Sequence, residues 1–200
     1  MSIKKQKDIM KNKLLLGVVF ALLLTTSNIY SQGDGTLKSM FKTDFNFSGI
    51  GVAYEVPLSK KWTVDLSTGV GASANVMNSY DVRWDVNRSP SAYFKSEFKY
   101  NYNIKKRFKK GKNTINNSSN YLGIQTKYIT PRFSDNPYLF TSHNVLATEV
   151  HWGLQRSLGG NWLFNFHAGL GYAHDFDLGK NDTSSNLYPA LGLKFSYKIF

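Results

Sequence analysis

The chain has 200 residues, a formal net charge of +12 and no cysteine. That length fits one domain with a sizeable interior, and the missing cysteines exclude both a disulfide framework and a lipid-modified N-terminal cysteine. Aromatic residues make up 15% of the chain, a bias that favours strands over helices.

Lys4, Lys5, Lys7, Lys11 and Lys13 lead into the apolar run Leu14–Leu24. The run is shorter than the roughly 20 residues a membrane-spanning helix needs, and the polar stretch TTSNIYSQ follows it. This is the pattern of an export signal over residues 1–31, with a cut at Ser31/Gln32 and the mature domain over 32–200. Ile29 at the −3 position departs from the usual small residue, and an uncleaved anchor is the alternative. Removing the leader's five lysines and Asp8 takes four from the net charge, leaving +8 on the mature chain.

Beyond the leader, period-2 alternation returns repeatedly and helical spacing does not. Strands are expected at residues 37–46 and 49–56, joined near Phe47 and Ser48. A third follows PLSKK and runs over 62–75, with Trp62, Val64, Leu66, Val70 and Ala72 on one face. A polar loop at 76–91 leads to a fourth strand, where Phe94, Phe98, Tyr100 and Tyr102 oppose Lys95, Glu97, Lys99 and Asn101. The basic turn KKRFKKGK carries Lys105, Lys106, Arg107, Lys109, Lys110 and Lys112. After it, Leu122, Ile124, Thr126 and Tyr128 alternate with Gly123, Gln125 and Lys127. Two further strands set Leu146, Val150, Trp152 and Leu154 against Glu149, His151, Gly153 and Gln155, and Trp162, Phe164, Phe166, Leu170 and Tyr172 against Asn165, His167, Gly169 and Gly171. The tail LGLKFSYKIF is the eighth strand.

One parity of each strand is aliphatic and aromatic; the other is glycine, small polar and charged. A closed sheet with the apolar parity outward puts Glu55, Asp65, Lys95, Glu97, Lys99, Lys127, Glu149, His151, His167, Lys194 and Lys198 inside, where both signs of charge can pair. The expected fold is all-β: an eight-stranded antiparallel transmembrane β-barrel with a polar lumen filled by side chains, since eight strands leave an interior that side chains can fill. Lipid favours an outward apolar band, and only a closed sheet satisfies every backbone polar group there. Trp62, Trp152 and Trp162 beside short turns form the expected aromatic girdle.

With both termini periplasmic, the connections at 57–61, 105–119 and 155–161 face the periplasm. The loops at 76–91, 130–142 and 174–186 then face outward and are the expected recognition surfaces. Asp175, Asp177 and Asp182 could attract a divalent cation, but they are expected to belong to a hydrated loop. The basic turn is expected to be a solvated turn, with anionic headgroups or wall polymers as the functional alternative and no nucleic-acid partner.

No phosphate loop, H-E-x-x-H or G-x-S-x-G pattern is present, so no enzyme activity, cofactor or metal is expected. Glu149 and His151 share a face that His167 joins from the next strand; a metal or acid–base site needs that proximity, and a structural lumen network produces it as well.

The tail resembles the terminal strand of bacterial outer-membrane barrels, which ends in Phe as Phe200 does here, although Phe200 is out of phase with Tyr197 and Ile199. That resemblance implies recognition by the barrel-insertion machinery. Together, FNFSGIGVAYEVPLSKKWTVDLSTGVG, FKYNYNIKKRFKKGKNTINNSSNYLGIQTKYI and the tail resemble an uncharacterised family of small Gram-negative outer-membrane β-barrels, in which a YE…LSKKW hairpin and a KKGKNT…NNS turn recur. The resemblance covers most of the mature chain and implies fold and outer-membrane location, but no catalytic residues. The functional expectation is a structural or surface-interaction role through the loops. The alternatives are a lipid-modifying enzyme using His143 or His174, a narrow pore, and a soluble periplasmic ligand-binding barrel.

Overall fold

The computed structural model describes residues 34–46, 49–77, 81–85, 90–134, 143–176 and 185–200. The leader, Asp177 and Asp182 lie outside the described residues.

Eight strands close into one antiparallel barrel: β1 (Met40–Asn46), β2 (Gly49–Pro57), β3 (Trp62–Gly71), β6 (Ser91–Tyr100), β7 (Asn120–Arg132), β8 (Val145–Gly159), β9 (Trp162–Asp175) and β10 (Ser185–Lys198). Each pairs with its neighbour in the order β1-β2-β3-β6-β7-β8-β9-β10, and β1 pairs with β10 to close the circle. In that seam Lys42 lies opposite Lys198 and Asn46 opposite Lys194. Phe200 completes the closure: its carbonyl accepts from Phe41 N–H at 3.0 Å, Ile199 N–H donates to Phe41 O at 2.8 Å, and the Phe41 and Phe200 rings stack at 5.4 Å. The out-of-phase Phe200 thus extends the seam instead of continuing the alternation.

The expected strands all form, with longer bounds for β7, β8 and β9, an earlier start for β10 at Ser185, and a later start for β1 at Met40. Three strands carry a proline on stretches paired on one side only, where a missing N–H is tolerated. Pro57 ends β2 past its last pair with β1, Met40 with Glu55. Pro131 follows the last β7–β8 pair, Ile129 with Val145. Pro189 lies on the part of β10 that pairs with β9 and extends past the β1 seam.

Two features depart from the sequence reading. The third strand stops at Gly71, Ala72 is buried, and residues 73–75, expected to end that strand, instead open a separate hairpin that runs on into the expected loop, β4 (Ser73–Met77) with β5 (Asp81–Asp85). Although it leaves the barrel between β3 and β6, the hairpin approaches β7, β8, β9 and β10, so it crosses the mouth of the barrel. At the opposite end the basic turn folds into a short helix, α1 (Ile104–Lys109), followed by a turn at Ile115–Asn117. Ile104 is fully buried there, which supplies the packing that a six-residue helix needs. Asn116 and Asn117 adopt left-handed φ values of 52° and 58°, a region that asparagine tolerates.

Candidate functional site

The lumen is the candidate site, and it is built in two tiers. Nearest the α1 end lies a salt-bridge cluster whose members are almost wholly enclosed. Lys42 Nζ donates to Glu55 Oε2 at 2.7 Å and to Asp65 Oδ2 at 2.6 Å. Lys99 Nζ reaches the same two oxygens at 3.0 and 3.5 Å, and also Gln155 Oε1 at 3.3 Å. Lys194 Nζ lies 3.0 Å from Asp44 Oδ2 and 3.8 Å from Asp65 Oδ2, and Ser196 donates to the other oxygen of Asp44 at 2.6 Å. The turn after α1 closes this end: Asn117 Nδ2 donates to Glu55 Oε1 and to Lys38 O, both at 2.9 Å, while Lys38 N–H donates back to Asn117 Oδ1.

The second tier lies on β6 to β10. His151 Nε2 is 3.0 Å from Glu97 Oε1. Glu149 accepts from Gln125 Nε2 at 2.9 Å on one oxygen and from Tyr188 O–H at 2.8 Å on the other. His167 Nε2 lies 3.4 Å from Glu149 Oε2, and the His151 and His167 rings stack with centroids 4.3 Å apart. Tyr121 O–H donates to Asn165 at 2.8 Å, and Lys99 sits over the Tyr121 ring at 5.4 Å.

The glycine-rich parity explains how these rings fit. Gly123 and Gly169 are the register partners of His151, Gly153 pairs with Tyr121 and His167, Gly192 pairs with His167, and Gly171 pairs with Tyr188. A Cβ at Gly123 would strike the His151 ring; at Gly153, the Tyr121 ring; at Gly171, the Tyr188 ring; and at Gly192, the His167 ring. Each inward ring lies over a neighbouring strand's bare backbone. Toward the hairpin end the lumen turns apolar, where Tyr93, Ile129, Val145, Ala147, Ala173, Tyr188 and Ala190 form one buried cluster.

Of the residues expected inside, Glu55, Asp65, Glu97, Lys99, Glu149, His151 and Lys194 are buried, and Lys95, Lys127, His167 and Lys198 are half-buried. Lys127 Nζ sits 4.7 Å from the Tyr93 ring centroid. Sequence reasoning missed Lys42 and Asp44, which carry the centre of the first tier. Their signal was the alternation Phe41, Thr43, Phe45 against Lys42, Asp44, Asn46. It also missed Tyr93, Tyr121 and Tyr188, inward aromatics on the parity that otherwise reads as polar.

Outside, Trp62 packs on Phe98 and Tyr100 at 5.0 and 4.8 Å, and Trp162 packs on Tyr197 at 5.2 Å. Trp152 sits within β8 rather than beside a turn, and its Nε1–H donates to Tyr102 O–H at 2.9 Å. In the basic turn, Lys105, Lys106, Lys109, Lys110 and Lys112 are exposed. Arg107 is not one of this solvated group: half-buried, it donates to Ser118 O at 3.1 Å and Asn113 O at 2.9 Å, and burial lowers its pKa from the ordinary value. At the other end His143 Nδ1 lies 2.9 Å from Asp175 Oδ2, and His174 packs edge-on against Phe176.

Comparison with protein-family models, with curated proteins and with solved structures finds no match. The class that fold and site define is a closed eight-stranded antiparallel β-barrel with a charged interior.

Proposed function

We propose that this chain is an integral outer-membrane β-barrel, exported with cleavage near Ser31/Gln32, that serves a structural or surface-interaction role through its loops and not as an enzyme. The observation that carries the reading is the inversion of polarity. Every barrel strand presents an exposed large hydrophobic side chain outward: Phe45, Tyr54, Leu66, Phe98, Ile124, Val150, Leu170 and Leu193, in chain order. Most charged residues of the same strands turn inward; Arg156, on the outward parity of β8, instead donates to Ser119 O and Asn120 Oδ1 at the α1 end. Monomeric proteins in water rarely expose apolar patches of more than a few hundred Å², whereas lipid makes an encircling apolar band favourable and demands a closed sheet. The tryptophan and tyrosine contacts toward the α1 end support an interfacial girdle on that side.

In this reading the α1 end and both ends of the barrel domain face the periplasm, where the five exposed lysines suit anionic headgroups or wall polymers. The hairpin end faces outward and offers the recognition surface. The β1–β10 seam and its terminal Phe200 suit recognition by the insertion machinery, and the small Gram-negative barrels that the sequence resembles are the family proposed. Fractionation of expressing cells, with gel mobility compared before and after boiling, tests the reading. A heat-modifiable band in the outer-membrane fraction supports it, and a freely soluble periplasmic band refutes it.

A further inference from the structure

We propose that Glu149, His151 and His167 form a binding site for one first-row divalent cation inside the lumen, with zinc the ion that best suits the donor set. A carboxylate oxygen and two imidazole nitrogens are the ligand types of three-residue zinc sites that keep a fourth position for water. The candidate donor atoms all lie within 4.8 Å of one another. Tetrahedral bonds of about 2.0–2.2 Å place neighbouring ligand atoms about 3.3–3.6 Å apart, and His167 Nε2 stands 3.4 Å from Glu149 Oε2. His151 Nδ1 stands 4.0 Å from the same oxygen, within a small ring rotation of that edge.

A second observation points to a ligand. The His151 side chain is fully enclosed, yet its Nδ1 has no hydrogen-bond partner. Its Nε2 faces Glu97 at 3.0 Å, which assigns the ring proton to Nε2 and leaves a lone pair on Nδ1. That lone pair faces a carboxylate at a distance too long for a hydrogen bond. Two acceptors held face to face in a buried site are unfavourable unless a metal ion or a second ring proton lies between them.

The surroundings match what metal ligands need. Glu97 orients His151 from behind, as carboxylates do for ligating histidines, and Gln125 and Tyr188 fix Glu149. Gly123 and Gly192 leave space for the two rings, since a Cβ at either position would enter the ring of His151 or His167. The side chains of Glu149 and His167 keep 9% and 17% of their surface accessible, so neither is sealed from solvent. This site depends on lumen geometry alone and stands whether or not the barrel proves to lie in a membrane.

The test is equilibrium dialysis of the purified full-length barrel against zinc after chelator treatment, with metal content measured by mass spectrometry. Cobalt substitution, read by visible absorption, reports the geometry. The expected result is one zinc per chain, tetrahedral cobalt bands, and a loss of affinity of about 100-fold or more in His167→Ala and Glu149→Gln. Glu97→Gln is expected to lose about 10- to 100-fold, and His174→Ala to bind as the parent does. Glu149→Gln preserves shape, and an unchanged circular dichroism spectrum confirms its fold. Binding well below one zinc per chain, or binding retained in both His167→Ala and Glu149→Gln, overturns the proposal.

Discussion

Replacing Ile124 with arginine separates a lipid-facing surface from a water-facing one. Ile124 is 55% exposed, points outward from β7, and pairs with Phe98 and Val150, which also point outward. With Tyr128, whose hydroxyl donates to Asn144 at the hairpin end, assigned to the outer edge of the band, Ile124 four positions earlier lies about 10 Å inside that edge at about 3.3 Å per residue and roughly 40° of tilt. A band about 25 Å tall therefore has Ile124 near its middle. An arginine there is expected to cost about 2–4 kcal/mol in a bilayer, a change of roughly 30- to 700-fold in the folding equilibrium. On a water-exposed surface the same substitution falls within about 0.5 kcal/mol of neutral. Urea unfolding in lipid vesicles, read by tryptophan fluorescence and gel mobility, measures the difference. An unchanged or raised midpoint for Ile124→Arg would refute the lipid-facing assignment.

Lys42→Met leaves Glu55 and Asp65 buried with only the weaker share of their positive partners; the expected loss is about 3–5 kcal/mol, read as a lower urea midpoint. Gly192→Val should displace the His167 ring and destabilise the barrel by about 1–3 kcal/mol, whereas Gly160→Ala, at a position where an added Cβ meets nothing within 4 Å but φ is +53°, should cost less. Asp34 is held at a pKa of about 2, chiefly by hydrogen bonds from Thr36 and Lys38. Its carboxylate contacts are therefore fully present above the ordinary value of 3.8 and lost as pH falls through about 2. An NMR titration should place its midpoint near 2 and show it rising toward the ordinary value in Thr36→Ala.

Barrel closure and the inward and outward faces were legible because a strand with a polar inner face and an apolar outer face writes strict alternation into the sequence. Phe94 to Tyr100 and Leu122 to Tyr128 have that contrast at nearly every step. It fades where Thr43 interrupts the outward set of β1, so Lys42 and Asp44 gave no clear parity. The hairpin at β4 and β5 was hidden in a polar stretch whose strands pair only with each other. α1 is too short to display a helical period, and what holds it is one buried residue, Ile104, together with the Arg107 contacts. The meeting of Glu149, His151 and His167 was readable from parity and strand adjacency. The unpartnered Nδ1 and the Glu97 contact were not, because they depend on ring orientation and on a strand distant in sequence.

The absence of native cysteine allows the most direct test of the membrane-spanning claim. Single cysteines at Leu122, Ile124, Val150 and Leu170, and a control at Lys110, can carry spin labels in vesicle-reconstituted protein. Collision rates with oxygen, which concentrates in lipid, and with a water-soluble nickel complex then report each site's solvent. The account predicts oxygen-dominated collisions at the four outward sites and nickel-dominated collisions at Lys110. Nickel-dominated collisions at Ile124 and Val150 would place the apolar face in water and contradict it.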